Sequence, residues 1–237
     1  DCIPDWKAPM GAERFEPERA LPWAEAALQG ATRHGHEREA LLAAQRVGAV
    51  LSRLGRHEEA LQCMRPRSNR LQMLTRDERL NWRSDFGSAL DYADQRQEAL
   101  QVLTDVVEEA IAHGRLSVAA AALSLSSNVL GYLGRTRDGL VAAERSIELY
   151  RRSGLEGDSL LVDECNQLGM LRDLGHYSNY LARAEQLPDE MRAAGSEFWA
   201  ANAEHDLATA YAWLGRADLS LRVLSAQPFD KLAPLMQ

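Results

Sequence analysis

Large apolar side chains return along this 237-residue chain at intervals of about 40 residues. Leu51, Leu90, Leu130, Leu171 and Tyr211 form one line, and Leu61, Leu100, Leu140, Leu181 and Leu221 form another. Between the two lines stand Gly55, Asp94, Gly134, Gly175 and Gly215, separated by 39, 40, 41 and 40 residues. A second series, Gly35, Thr75, Gly114, Gly154 and Gly195, interleaves with the first about every 20 residues. Glycine accepts the left-handed backbone that closes a helix, so these positions read as turns between helices. Each intervening segment predicts a helix of roughly 17 residues, about 25 Å long. Thr75 with Glu78 reads as a capping box opening one helix, and Ser196 with Glu197 as a weaker start of another. Pro66 and Pro188 fall inside expected helices and predict a break in each.

Small residues keep the same register. Seven before each turn of the first series stand Gly48, Gly87, Ser127, Leu168 and Ala208. Five after it stand Ala60, Ala99, Gly139, Tyr180 and Ser220. Two antiparallel helices approach closely only where both carry small residues, with large apolar side chains flanking the crossing. One such pair cannot bury its apolar side alone, so pairs must stack. In the fourth repeat the small residue is Gly169, which predicts a slip of one residue there.

The stretch Val47 to Leu61, with its small residue, leucines, glycine and Ala60-Leu61 in order, resembles the tetratricopeptide repeat (TPR) consensus. Asn166 to Tyr177 and Asp206 to Leu221 are similar, and the resemblance extends over residues 37–226. A period near 40 exceeds the usual 34 residues and implies longer helices. Such long-helix arrays resemble the repeat regions of bacterial signal-responsive transcriptional regulators. The resemblance implies an all-α fold, a right-handed α-α superhelix (a TPR-like solenoid) of about five helix pairs plus an N-terminal helix. The expected organisation is an irregular segment over 1–15, the repeat domain over 16–226, and a tail or the start of a further repeat over 227–237. The array reads as a fragment of a longer regulator.

Composition sharpens this in two ways. Ala, Leu, Arg and Glu dominate, all good helix formers, and Val and Ile are scarce. The net charge of −8 opposes contact with phosphate backbones, so no direct nucleic-acid binding is expected. No apolar run is long enough to cross a bilayer, so no membrane partner is expected. Cys2, Cys63 and Cys165 lie far apart without metal-site spacing, which points to a reducing cytoplasm.

Catalytic chemistry is not visible. The glycines are spaced as turns, not as a phosphate loop. His34 and His36 flank a turn glycine and read as helix-end residues, not as a metal pair. Glu58-Glu59 and Glu108-Glu109 read as solvated helix faces. No enzyme activity, cofactor or metal is expected.

The resemblance directs attention to the concave face lined by the first helix of each pair. Positions ten, six and two or three before each turn give Gln45 and Arg53, then Ser84, Ser88, Asp91 and Tyr92, then Ser124, Asn128 and Tyr132. The fourth repeat, with its slip, gives Cys165 or Asn166, then Met170 and Asp173, and the fifth gives His205, Thr209 and Trp213. This stripe is polar, mostly neutral and edged with aromatics. It suits a protein or peptide partner, or a small polar ligand. The implied function is a non-catalytic binding module, the sensing or interaction domain of a bacterial regulator. The alternatives are a scaffold for oligomer assembly and a substrate-recruiting accessory domain of a larger enzyme. Trp82, Trp199 and Tyr150 are expected in core or inter-repeat packing.

Overall fold

The computed structural model describes residues 17–154 and 158–226 and is helical throughout its regular elements. The helices are α1 (Pro17–Arg33), α2 (Glu37–Arg53), α3 (His57–Met64), α4 (Arg76–Tyr92), α5 (Arg96–Ala112), α6 (Leu116–Tyr132), α7 (Thr136–Ser153), α8 (Asp158–Asp173), α9 (Tyr177–Ala184), α10 (Leu187–Ala193), α11 (Glu197–Trp213) and α12 (Ala217–Ala226). A 3-10 segment, Arg65–Met73, continues α3. The expected tail at 227–237 and the segment 1–15 lie outside the described residues. The chain divides into two compact units, Asp1–Val129 and Leu130–Gln237.

The turns carry the register. Gly55, Gly134, Gly175 and Gly215 all have positive φ, and Asp94, at φ 61°, takes the same left-handed conformation without being glycine. After each of these turns the next backbone N–H returns to the carbonyl four residues before it. The five bonds are Arg56 to Leu51, Gln95 to Leu90, Arg135 to Leu130, His176 to Leu171 and Arg216 to Tyr211, at 2.8–2.9 Å. This is the six-to-one bond of a Schellman closure, which satisfies a carbonyl that the helix leaves open. Its recurrence at Gly175 corrects the expected slip: the fourth repeat ends in the same register as the others. Thr75 closes no helix. It caps α4 as a complete capping box with Glu78. Ser196 precedes α11 but makes no side-chain cap.

In the first unit the crossings are tight. A β-carbon on Gly48 would stand 2.4 Å from Met64 Sδ, and one on Gly87 would stand 2.8 Å from Leu103 Cγ. Ala60, Ala99 and Leu103 are fully buried opposite them. The core line therefore runs through the residues five and nine after each turn. The leucines at the sixth place flank it, and Leu100 is only half-buried. Trp82 is fully buried, stacked on Phe86 at 5.3 Å. Pro66 ends α3, and the chain tightens into nine residues of 3-10 helix, because proline offers no N–H to continue the α ladder. Outside the core, Glu109 accepts from Arg79 at 2.9 Å and from Arg83 at 2.8 Å, tying α4 to α5. The Arg79 hydrogen bond, against some loss of solvation, holds the Glu109 carboxyl below the usual range.

The second unit builds its crossing differently. Leu168 and Tyr180 occupy the places held by glycine and alanine in the first unit, and both are buried. They join Ala184, Leu187, Met191, Ala203, Leu207 and Tyr211 in one core. A β-carbon on Gly169 would meet nothing within 4 Å, so this glycine is not a crossing residue. The second helix of this pair is broken into α9 and α10, with Pro188 in the first turn of α10. Buried carboxylates join the elements: Asp163 accepts from Ser146, and Glu164 accepts from Arg151 at 2.9 Å and from Arg183 Nε at 2.9 Å. Tyr150, like Trp82, is buried, whereas Trp199 is 37% exposed.

Candidate functional site

Within the first unit, the first helices of successive pairs, α2 and α4, bring several of the expected residues together. Gln45 Nε2 donates to Asp85 Oδ2 at 2.6 Å. Asp85 is accessible to solvent yet ringed by protein. That crowding pushes its carboxyl up, while the Gln45 hydrogen bond and the Arg53 charge pull it back. Arg53 is exposed and Ser88 half-buried. Ser84 is buried and donates to the Leu80 carbonyl at 3.0 Å, so its hydroxyl serves the helix and is not offered to a ligand. Asp91 faces Arg96 Nε at 3.5 Å; burial raises its carboxyl and Arg96 opposes the rise. Tyr92 is 59% exposed, its ring stacked on His57 at 5.2 Å and 19°. Ser124 and Asn128, on α6, are half-buried.

The second unit holds the remainder. Tyr132, at the end of α6, is 69% exposed. Asn166 is half-buried on α8, Asp173 is exposed, and His205 is exposed on α11. Thr209 donates to the His205 carbonyl at 2.9 Å. Trp213 is 59% exposed, with the Arg172 guanidinium 5.5 Å from its ring centroid, a cation–π distance. Arg172 also donates to Asp206 and to Asp173, the latter at 3.1 Å. Cys165 is buried beneath this group; burial, with the nearby Asp206 charge, pushes its thiol up to about 12 despite Arg172. Cys165 packs in the core of this unit.

Three neighbours of these residues were not read from sequence: Asp85 in the first unit, and Arg172 and Asp206 in the second. Arg172 lies three residues before Gly175, next to Asp173, which was read in its place. Asp85 and Asp206 lie nine residues before their turns, one place beside the positions read. Met170, which the slip would have turned to the face, is buried.

An open depression of about 480 Å³ lies elsewhere, lined by Glu144, Ile147, Glu148, Arg151, Arg152 and Gln167 of α7 and α8. Two of its charges are paired locally: Arg152 with Glu148, and Arg151 with Glu164. His34 and His36, both exposed, hold their rings 6.1 Å apart. Among the described residues no three His, Cys, Asp or Glu side chains gather as a metal site. Among the same residues no helix is long and apolar enough to cross a membrane.

No protein-family model matches the chain, and no curated protein matches it in sequence. Solved structures do match. The chain is similar to BtubC (BKLC) from P. vanneervenii at 12% identity and a TM-score of 0.72, over 89% of each chain. It is similar to a Podosopora anserina protein described as a kinesin light chain with nearly identical TPR-like repeats, at 18% identity and a TM-score of 0.63, over 78% of this chain and 92% of that one. It is also similar to a Rap protein complexed with Competence and Sporulation Factor, at 10% identity and a TM-score of 0.66, over 96% of this chain and 73% of that one. The fold is that of the TPR-like helical repeat proteins.

Proposed function

We propose that this chain is a non-catalytic protein-binding module, working as the sensing or interaction domain of a cytoplasmic bacterial regulator. One observation carries the binding role. Tyr92, Tyr132 and Trp213 stand at the same place, two residues before the turn, in three first helices, and each is more than half exposed. A soluble surface gains nothing from repeating a large exposed ring in register, whereas tyrosine and tryptophan dominate protein interfaces. Two of the rings are already positioned: His57 stacks on Tyr92, and Arg172 sits over Trp213. A ring held in place loses less conformational freedom on binding. The regulatory role is supported by the long-helix resemblance and by the similarity to the Rap protein, which was solved with a bound factor.

Affinity capture from extract of the source cells tests this reading. The intact chain should retain a defined protein partner. A variant with Tyr92→Ala, Tyr132→Ala and Trp213→Ala should keep its helical melting profile and lose that partner. Retention of the same partner by the triple variant would defeat the proposal.

A further inference from the structure

Two first helices carry the same three groups in the same order. On α4 these are Asp85, Ser88 and Tyr92; on α11 they are Asp206, Thr209 and Trp213. The spacing i, i+3, i+7 places each triad on one side of its helix. The carboxylate and the ring are then about 10 Å apart along the axis, at about 1.5 Å per residue. In each case a side chain of the preceding first helix engages one carboxylate oxygen. Gln45 Nε2 donates to Asp85 Oδ2, and Arg172 donates to Asp206 Oδ1. A carboxylate accepts more hydrogen bonds than these, so both acids keep accepting capacity. Asp85 is exposed and the Asp206 side chain is 36% exposed. On α6 the corresponding residues are Leu125, Asn128 and Tyr132, so that helix offers the ring without the acid.

Resting on the protein-binding reading above, we propose that the aspartate and the aromatic ring of each triad read a polyproline II segment of a partner protein, with a basic side chain on the aspartate and a proline ring, three residues further along that segment, on the aromatic; the Thr209 hydroxyl, bonded to the His205 carbonyl, takes no part. The geometry selects this conformation. A β-strand turns residues i and i+3 to opposite sides. A polyproline II helix has three residues per turn and a rise of about 3.1 Å, so i and i+3 share an edge roughly 9 Å apart. That matches the separation of carboxylate and ring. Proline rings pack against flat aromatic faces, and the preformed helix loses little entropy on docking. The basic residue follows from charge: the accepting groups are carboxylates, and the chain carries a net charge of −8. The two triads lie in different units and act as separate sites.

Fluorescence anisotropy with two labelled proline-rich peptides tests this. One carries arginine three residues before a proline; the other has glutamate in place of that arginine. The arginine peptide should bind, more weakly at high salt, with two sites per chain, and the glutamate peptide should not bind. Asp85→Asn with Asp206→Asn should weaken binding roughly tenfold or more, as expected for loss of a charge-assisted contact. Circular dichroism should show that variant still folded. Equal binding of both peptides, or an unchanged affinity in the double variant, would overturn the triad proposal. No binding of either peptide would also overturn it. If capture of a partner still depends on the three aromatics, the protein-binding reading survives that loss; if capture is also indifferent to them, both fail.

Discussion

Replacing Trp82 by alanine should lower the stability of the first unit by about 3–5 kcal/mol, the range for truncating a large buried aromatic. The side chain is fully buried and stacked on Phe86, so its removal leaves a cavity that the neighbouring helices can close only in part. Trp82→Phe should cost less, for two reasons. It keeps most of the ring, and it removes an indole N–H that has no hydrogen-bond partner among the described residues. Trp199→Ala, at a side chain 37% exposed, should cost clearly less than Trp82→Ala. Urea unfolding followed by circular dichroism measures all three. Similar losses at Trp82 and Trp199 would show that the burial described for them is wrong.

The second large effect is a reversal of sign between two glycines. Alanine in a helix interior ordinarily gains about 0.5–1 kcal/mol over glycine. Gly87→Ala should nevertheless destabilise, by about 1–2 kcal/mol net, because overpacking a close crossing costs about 1–3 kcal/mol. The added carbon would lie 2.8 Å from Leu103 Cγ, and Leu103 is itself fully buried and cannot swing aside. Gly169→Ala meets nothing within 4 Å and should stabilise by the ordinary helix gain. Thermal melts of the two variants distinguish the registers. A slipped fourth repeat would make Gly169 the crossing residue and give both substitutions the same sign.

The fold was legible because turn chemistry and apolar periodicity agree. A Schellman closure needs a left-handed residue just past the helix end, and Gly55, Gly134, Gly175 and Gly215 meet that need openly in the sequence, each four residues after a large apolar side chain. The proline breaks and the capping box were legible for the same reason: each is a local backbone requirement. The supposed slip arose where local pattern and packing part company. The fourth crossing is filled by Leu168 and Tyr180, so a search for small residues settles on Gly169 and misplaces the face by one position. The exposed rings of Tyr92, Tyr132 and Trp213 were legible because they fall at one repeat place. Ser84 was misjudged because a hydroxyl can serve its own helix as readily as a ligand. Asp85, Arg172 and Asp206 were missed because their meaning is relational. Each matters through a side chain about 40 or 34 residues away, and no spacing rule announces those pairs.

The central claim is that the exposed aromatics two residues before the turns at Asp94, Gly134 and Gly215 are where a partner sits. Site-specific photo-crosslinking in the source cells tests it most directly, with a photoreactive phenylalanine analogue placed singly at Tyr92, Tyr132, Trp213 or Val141. Val141 is the control: it is 64% exposed but lies on α7, a second helix. Crosslinks to one common protein from the three aromatic positions, and none from Val141, are the predicted result. Crosslinking from Val141 with silence at the aromatic positions would contradict the account and move the binding surface to the second helices.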